Sequence, residues 1–526
     1  MKKNLFLIGC VLLISLTQLK AQQRYLDEVF SNVTITPNIT YGSNYSILTG
    51  TPSLTDLKLD VYQPTGDTLA ARPLIIYLHT GSFLPILFNK QATGSRTDSA
   101  TVEMCKQFAR RGYVAASIDY RLGWNPQALG ASGQDIRTGT LLQAVYRALQ
   151  DAKTAVRFMR MTVDSLSNIY KIDDSKIVVC GQGSGGYVAL AYASLDNFST
   201  EVAGLVKFLA GADDATYGFV SGQPYVNQAA MGDMDGLGGI APYNQANHTS
   251  YSSAVNMVVN MGGAMGDSSW LEAGDVPIVC FHVTNDPFAP YNRGMVVVPT
   301  TGDNVVYVTG SKSVVRLSNT LGNNSVFNIP YNDPYTTRAN MVNEGHEGLF
   351  PFIEPNPQLF IPMDPFDGQA GPWEWWDTTA LHALGTAFGI SNGAVDTIDM
   401  SAHLTNPNMS KAKGLAYIDS IQGYLAPRMV QQLALPGMYV GIDQAANPSF
   451  TIQVFPNPSN GNFEILSRQF PVSSYELFDF TGKSLLSEKL NAASSFSINS
   501  ENFSNGIYLL KVHTQAGTAL KKIIIE

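Results

Sequence analysis

Short apolar runs alternate with amphipathic stretches between about residues 56 and 435, and this pattern predicts an α/β domain. Residues 74–78 are continuously apolar, as in a strand that is buried on both faces of a sheet, whereas residues 57–62 alternate between apolar and polar. The same criteria predict further strands at 114–119, 176–180, 205–209, 277–283 and 305–309, and helices at about 99–111, 136–161, 185–194 and 411–435. Strands and helices in this order favour right-handed crossovers onto one mostly parallel, doubly wound sheet.

The helical pattern ends near residue 440, and a different pattern follows it. After a short linker at 441–451, residues 452–526 consist of alternating β segments separated by Asn, Gly and Ser turns. This second pattern predicts a small antiparallel β-sandwich. The preceding domain then covers 22–440 and includes a Pro- and Trp-rich insertion at about 350–380. The aromatic residues of this insertion either cap a site or pack onto the body of the domain.

The first 21 residues have the pattern of a signal peptide. Lys2 and Lys3 precede an apolar run at residues 5–16, and Ala21 offers a cleavage point. The run is too short to span a bilayer, and no later run reaches about 18 apolar residues. We therefore expect a secreted protein without a transmembrane segment.

Composition narrows the range of partners and cofactors. The chain has 33 basic and 42 acidic residues, a formal charge of −9 and no basic run, so we exclude nucleic acid as a main partner. Three cysteines remain after the signal peptide, namely Cys105, Cys180 and Cys280, and we interpret them as buried thiols. Because no Cys-x-x-Cys pair or His/Cys cluster occurs, we expect neither a metal nor another cofactor.

Several short motifs occur in a fixed order between residues 55 and 435. They are His79-Thr80-Gly81-Ser82-Phe83, Asp119-Tyr120-Arg121-Leu122, Asp151-Ala152-Lys153, Gly181-Gln182-Gly183-Ser184-Gly185-Gly186, His282-Val283-Thr284-Asn285-Asp286-Pro287 and Gly345-His346-Glu347-Gly348. In this order the region resembles the α/β-hydrolase family, in its esterase/lipase branch with an H-G-G-type oxyanion loop.

The resemblance implies a catalytic triad of Ser184, Asp286 and His346. In such a triad the histidine takes the proton of the serine hydroxyl, and the carboxylate orients the imidazole. The oxyanion and substrate-binding residues that it implies are His79, Gly81, Ser82, Gly183 and Gly185. The implied reaction is ester hydrolysis through an acyl-enzyme, on small-molecule, aryl or polysaccharide-linked esters.

The predicted turn between strand and helix leaves two alternatives open. If Gly181 and Gly185 are the two glycines of the G-x-S-x-G pattern, Gly183 occupies the position of the serine. In the other register Ser184 is the nucleophile, but the bulky Gln182 then occupies a position that favours a small residue. The first register predicts a catalytically inactive binding protein, and the second predicts a serine ester hydrolase.

The C-terminal segment carries a separate set of motifs. They are Val454-Phe455-Pro456-Asn457-Pro458-Ser459-Asn460-Gly461, Leu477-Phe478-Asp479-Phe480-Thr481-Gly482-Lys483, Gly506-Ile507-Tyr508-Leu509-Leu510-Lys511-Val512 and Lys521-Lys522-Ile523-Ile524-Ile525-Glu526. They resemble the type A sorting domain of the type IX secretion system. The resemblance implies export by the signal peptide and then by the type IX machinery, to the cell surface or the medium.

Overall fold

A computed structural model describes residues 22–526 except 131, 299–300, 355–367, 437–451, 468–469, 480–482, 501 and 516. The predicted signal peptide, the predicted linker and the predicted boundary near residue 440 lie outside the described residues. Contacts divide the chain into two compact units, with the division between residues 437 and 438.

The first unit contains eleven strands and ten helices among the described residues. The strands are β1 (Val33–Ser46), β2 (Ser53–Pro64), β3 (Arg72–Leu78), β4 (Val114–Ile118), β5 (Ile172–Gln182), β6 (Met257–Met261), β7 (Ala264–Met265), β8 (Ile278–Val283), β9 (Arg293–Val297), β10 (Asn304–Gly310) and β11 (Leu349–Phe352). The helices are α1 (Ser99–Arg111), α2 (Gly133–Ser165), α3 (Ser184–Ser194), α4 (Phe198–Glu201), α5 (Gln228–Met231), α6 (Ser311–Leu321), α7 (Pro334–Asn340), α8 (Thr378–Ala387), α9 (Asn392–Thr405) and α10 (Lys411–Gln432).

One eight-stranded sheet forms the centre of this unit, in the order β1-β2-β4-β3-β5-β6-β8-β11. The six strands from β4 to β11 run parallel, and β1 and β2 pair antiparallel at one end. Strands β3, β4, β6 and β8 are buried at every position, because helices and loops cover both faces. The predicted α/β-hydrolase fold class is confirmed.

Besides the last strand, β11, which was not predicted, three details of the predicted sheet are wrong. Strand β6 was not predicted, although its five residues are fully buried. The apolar run at 205–209 forms a 3-10 turn at Val206–Phe208, and Val206 is exposed. Strand β10 exists, but it belongs to a second, antiparallel sheet with β7 and β9. A five-residue apolar run does not by itself distinguish a strand from a turn, or one sheet from another.

The second unit consists of strands alone in its described residues. They are β12 (Ile452–Phe455), β13 (Asn462–Ser467), β14 (Val472–Asp479), β15 (Ser484–Ala493), β16 (Ser495–Asn499), β17 (Gly506–Thr514) and β18 (Gly517–Ile525). They form two antiparallel sheets, β12-β13-β16 and β15-β14-β17-β18, around one apolar core. This is the predicted β-sandwich. None of the helices in the described part of the chain combines the length and apolar character that crossing a bilayer requires.

Candidate active site

The turn between β5 and α3 places Gly183 at its apex. Strand β5 ends at Gln182, helix α3 begins at Ser184, and Gly183 between them has φ 53° and ψ −117°. L-residues rarely adopt this region of backbone space, whereas glycine adopts it without a steric penalty. A Cβ atom on Gly183 would lie 2.1 Å from Thr80 Oγ1. The apex therefore carries no side chain, and the Thr80 hydroxyl occupies the adjoining space.

Ser184 lies one residue beyond the apex and bonds to a phenol. Its Oγ lies 3.0 Å from the hydroxyl of Tyr120, which itself donates a hydrogen bond to the His79 carbonyl at 2.7 Å. The Ser184 hydroxyl is therefore the donor of its hydrogen bond to the Tyr120 oxygen. Burial raises the pKa of Tyr120 well above its usual value, so the phenol stays neutral and does not act as a base.

His346 does not come near the apex, which corrects the predicted triad. It precedes β11, and β11 runs parallel to β8 with Leu349 opposite Cys280. His346 therefore lies toward the amino ends of these strands, whereas Gly183 and Asp286 follow the carboxyl ends of theirs. Strand β8 has six residues and spans about 20 Å. The separation between His346 and the apex is of the order of this strand length.

The error has an identifiable cause. Residues 350–380 were interpreted as an aromatic insertion, so the last strand of the sheet, β11, was missed. Without β11, His346 appeared to follow the last strand instead of preceding it. Burial lowers the pKa of its imidazole, and the nearby charges are those of Glu344, Lys312 and Arg316.

A cavity of about 330 Å³ opens beside the apex of the turn. Of the predicted site residues, Ser82, Gly183, Ser184 and Asp286 line it. Its aromatic lining residues are Phe83, Phe88, Trp124, Tyr187, Phe288, Trp373 and Trp376. The predicted insertion thus contributes to the cavity wall through its described part. No histidine occurs among the described residues that line the cavity.

The other predicted site residues shape the surrounding backbone. His79 is buried, stacks on Tyr120 with ring centroids 4.5 Å apart, and does not line the cavity. Gly81 has φ 130° and approaches Gly94 so closely that an added Cβ would lie 2.7 Å from the Gly94 Cα. Gly185 packs against β3, where an added Cβ would lie 2.3 Å from the Leu78 carbonyl oxygen.

Asp286 follows β8 and is held by the backbone of its own loop. Its Oδ1 accepts hydrogen bonds from the amides of Phe288 and Ala289 at 2.7 and 3.1 Å. Burial raises the pKa of Asp286 to about 7. The nearest imidazole is that of His282, whose Nε2 lies 3.8 Å from Asp286 Oδ2.

His282 does not supply the missing base. It is fully buried, its Nδ1 bonds to Ser311 Oγ at 2.6 Å, and its Nε2 bonds to the Ala289 carbonyl at 3.0 Å. Burial lowers the pKa of its imidazole to about 4, so the ring is neutral near pH 7. Both ring nitrogens are occupied by structural hydrogen bonds.

Glu374 is the functional candidate that sequence reasoning missed. It lies in the segment after β11, and its carboxylate accepts hydrogen bonds from Gln182 Nε2 and, at 3.0 Å, from Thr93 Oγ1. Gln182 in turn accepts a hydrogen bond from the Tyr77 hydroxyl at 2.9 Å. Burial raises the pKa of Glu374 to about 7, and the charge of Asp286 raises it as well. The only sequence signal was an acid among tryptophans, in Trp373-Glu374-Trp375-Trp376.

A metal centre among the described residues would need a cluster of ligand-type side chains. In the part of the chain that the structure describes, no three His, Cys, Asp or Glu side chains come together in a way that would hold a metal ion.

Two family models match the chain. Residues 59–298 match the family described as BD-FAE, and residues 453–526 match the family described as secretion system C-terminal sorting domain. None of the curated proteins matches the chain.

Solved structures of esterases are also similar to this chain. Esterase 2 of Thermogutta terrifontis phosphorylated by paraoxon is 16% identical, over 71% of this chain and 92% of its own, with a TM-score of 0.31. The native form of that enzyme is 16% identical over 74% and 98%, also with a TM-score of 0.31. A truncated carbohydrate esterase from gut microbiota is 20% identical over 50% and 81%, with a TM-score of 0.27.

The family matches and the fold agree on the nature of the two units. The parallel sheet and the turn at Gly183 lie in or beside the first matched region, and the β-sandwich coincides with the second. The sorting domain indicates type IX secretion to the cell surface or the extracellular space. The chain thus carries an esterase-like domain of the α/β-hydrolase fold, followed by a C-terminal sorting domain of the type IX secretion system.

Proposed function

We propose that this protein is a secreted binding protein on an esterase fold, which holds a small organic molecule without cleaving it. The observation that carries the proposal is the glycine at the apex of the turn, at φ 53°. A serine triad needs a hydroxyl at this point and an imidazole facing it, and loss of the nucleophile typically costs on the order of 10⁶ in turnover. Ser184 is hydrogen-bonded to a neutral phenol. His346 lies toward the amino ends of the parallel strands, whereas the apex follows the carboxyl end of its strand.

The cavity favours an aryl ester or a compound of similar shape and polarity. Its aromatic side chains offer surfaces for a ring, and its volume suits a small ligand. No backbone carbonyl of the described residues accepts a hydrogen bond from the Ser82 amide, and Ser184 is the first residue of α3, where an amide has no acceptor within its own helix. The indole N–H of the buried Trp373 also lacks a partner there. These donors suit a carbonyl or ether oxygen of the ligand, because a buried donor without an acceptor is costly.

We expect the full chain to bind an aryl ester but to leave it intact. Methyl ferulate should quench the tryptophan fluorescence in a saturable way and be recovered unhydrolysed by chromatography. A fluorophosphonate probe should leave the protein unlabelled under conditions that fully label an active serine esterase. Phe88→Ala should weaken the binding several-fold, because Phe88 lines the cavity and is 52% exposed, so its truncation leaves the core intact.

Covalent labelling of any cavity residue, or release of ferulate above the rate in buffer, would contradict the proposal. Mass spectrometry of the labelled peptide would identify the reactive residue. Labelling at Ser184 would reinstate the serine register, and labelling at Thr80 would reveal a different nucleophile.

Deletion of residues 453–526 should retain the protein inside the cell envelope. In a bacterium that has the type IX machinery, the full chain should reach the cell surface or medium, and the truncated chain should accumulate in the periplasm. The reason is that the deleted residues are the matched sorting domain. The comparison is made by immunoblotting of cell fractions. Equal amounts of the two chains in the medium would show that export does not depend on this domain.

A further inference from the structure

Thr80 occupies the space that a nucleophile side chain would need. An added Cβ on Gly183 would meet Thr80 Oγ1 at 2.1 Å and Thr80 Cβ at 3.0 Å. Atoms do not approach this closely without a shift of the backbone or side chain. Thr80 also lines the cavity.

Thr80 stands in a loop where the resemblance to the esterase family expects glycine. The sequence His79-Thr80-Gly81 corresponds to the H-G-G of the family loop. The chain therefore has threonine at a glycine position and glycine at the serine position, and the two positions touch. The absence of a side chain at position 183 leaves space for the Thr80 side chain, and a glycine at position 80 would leave space for a serine at position 183.

Glu374 lines the cavity close to the apex. Its carboxylate bonds to Gln182, the residue directly before Gly183. Its neighbour Trp373 and the carboxylate of Asp286 both border Gly262, where an added Cβ would lie 3.8 Å from the Trp373 ring and 3.5 Å from Asp286 Oδ2. The segment follows β11, so it lies at the same edge of the sheet as the apex and Asp286.

We propose that Thr80 and Glu374 hold the places of the nucleophile and base side chains of a serine triad, and that Thr80→Gly, Gly183→Ser and Glu374→His together create an active serine hydrolase. The proposal rests on the proposed function, since it takes the natural chain to be inactive. Asp286 and the amides of Ser82 and Ser184 are already present and would serve the rebuilt site.

The reaction of the rebuilt site with a fluorophosphonate is a substitution at phosphorus. The introduced hydroxyl oxygen forms a bond to phosphorus, the phosphorus–fluorine bond breaks, and fluoride leaves with the bonding electron pair. The hydroxyl proton passes to the introduced imidazole, whose charge the Asp286 carboxylate stabilises. With a carboxylic ester the same attack at the carbonyl carbon releases the alcohol, and water then hydrolyses the acyl-enzyme.

The contact between positions 80 and 183 is tested by thermal unfolding. Gly183→Ser alone should lower the unfolding midpoint of the first unit by about 5 °C or more, because the new side chain clashes with Thr80 and adds backbone strain. The double variant Thr80→Gly/Gly183→Ser should recover most of this loss. If Gly183→Ser lowers the midpoint equally with and without Thr80, the proposal is wrong.

The rebuilt triad is tested with the probe and with p-nitrophenyl acetate. The triple variant should be labelled at position 183 and hydrolyse the ester at least about 100-fold faster than the natural chain, a small part of what a full triad supplies. The matched control Thr80→Gly/Glu374→His, which lacks the serine, should not be labelled. A triple variant that unfolds cooperatively but is neither labelled nor active would overturn the placement of Glu374.

These outcomes are distinct from failure of the proposed function. Labelling or ester hydrolysis by the natural chain would refute the proposed function. An unlabelled natural chain with an unlabelled, folded triple variant would refute only the inference about Thr80 and Glu374. If the triple variant does not fold, the thermal comparison of the single and double variants at positions 80 and 183 still decides the first half of the inference.

Discussion

Asp151→Ala is expected to lower the free energy of unfolding of the first unit by about 3–5 kcal/mol, which is the usual cost of leaving a buried charge without its partner. Asp151 is completely buried and bonds to Arg121 Nε at 2.9 Å, with Arg121 only 2% exposed. It also accepts a hydrogen bond from the Arg121 amide at 2.7 Å. The pair connects the segment after β4 to helix α2, so its loss removes a tie between the sheet and a covering helix.

A second arginine increases the effect of this substitution. Arg147 is 4% exposed, and its Nε and Nη2 have no hydrogen-bond partner among the described residues. Burial and, secondly, the charge of Arg121 lower the pKa of Arg147 to about 9, although the charge of Asp151 acts in the opposite direction. Without Asp151, two buried guanidinium groups would remain side by side.

Urea denaturation, monitored by tryptophan fluorescence, measures this change in the free energy of unfolding. Asp151→Asn retains the shape and most hydrogen bonds, so its cost should be smaller than that of alanine. Asp173→Ala is the matched control, because Asp173 pairs with Lys176 near the surface and such pairs contribute at most about 1 kcal/mol. Equal losses for Asp151→Ala and Asp173→Ala would show that the buried pair has no special role.

Raising the pH from 5 to 8 is expected to destabilise the first unit, and Glu374→Gln is expected to reduce that effect. Burial raises the pKa values of Glu374 and Asp286 to about 7 in the folded protein, whereas Glu and Asp in unfolded chains have pKa values of about 4.3 and 3.9. The folded state therefore holds protons that the unfolded chain releases. The free energy of unfolding falls as the pH rises from about 4 to about 7 and then levels off.

Each such carboxyl contributes a slope of up to about 1.4 kcal/mol per pH unit within that window. Glu374→Gln removes one ionisable group, and the Gln side chain can still accept from Gln182 and donate to the Thr93 hydroxyl. Urea denaturation at several pH values should therefore give a shallower slope for this variant. Glu344→Gln is the control, since Glu344 is exposed and Lys312 lowers its pKa. If the natural chain and Glu374→Gln have equal slopes, Glu374 is ionised in the folded state throughout this range.

Much of the fold followed from local patterns of burial. A strand covered on both faces is apolar along its whole length, so the central strand β3 was evident from the sequence. The position of Asp286 at the carboxyl edge of the sheet could also be predicted, because this residue follows a buried strand of a parallel sheet. The sorting domain was recognised from motifs that lie within one continuous segment.

Local sequence patterns could not decide between the two alternatives at the turn. Sequence reasoning left both Gly183 and Ser184 open as the apex residue, because the glycines at 181, 183, 185 and 186 support two registers. The apex differs from its neighbour by one residue of backbone, and only φ and ψ identify it. The Thr80 contact likewise depends on how two separate loops pack.

The sequence by itself determined the class of fold and the C-terminal sorting domain, because each depends on burial patterns or motifs within continuous segments. The tertiary structure alone decided which groups meet at the cavity. Glu374 is 192 residues from the glutamine to which it bonds, and His346 is excluded by the end of the strand at which it lies. The order and direction of the strands determine which distant residues come into contact. Strand order and direction are properties of the assembled sheet, and no local sequence pattern specifies them.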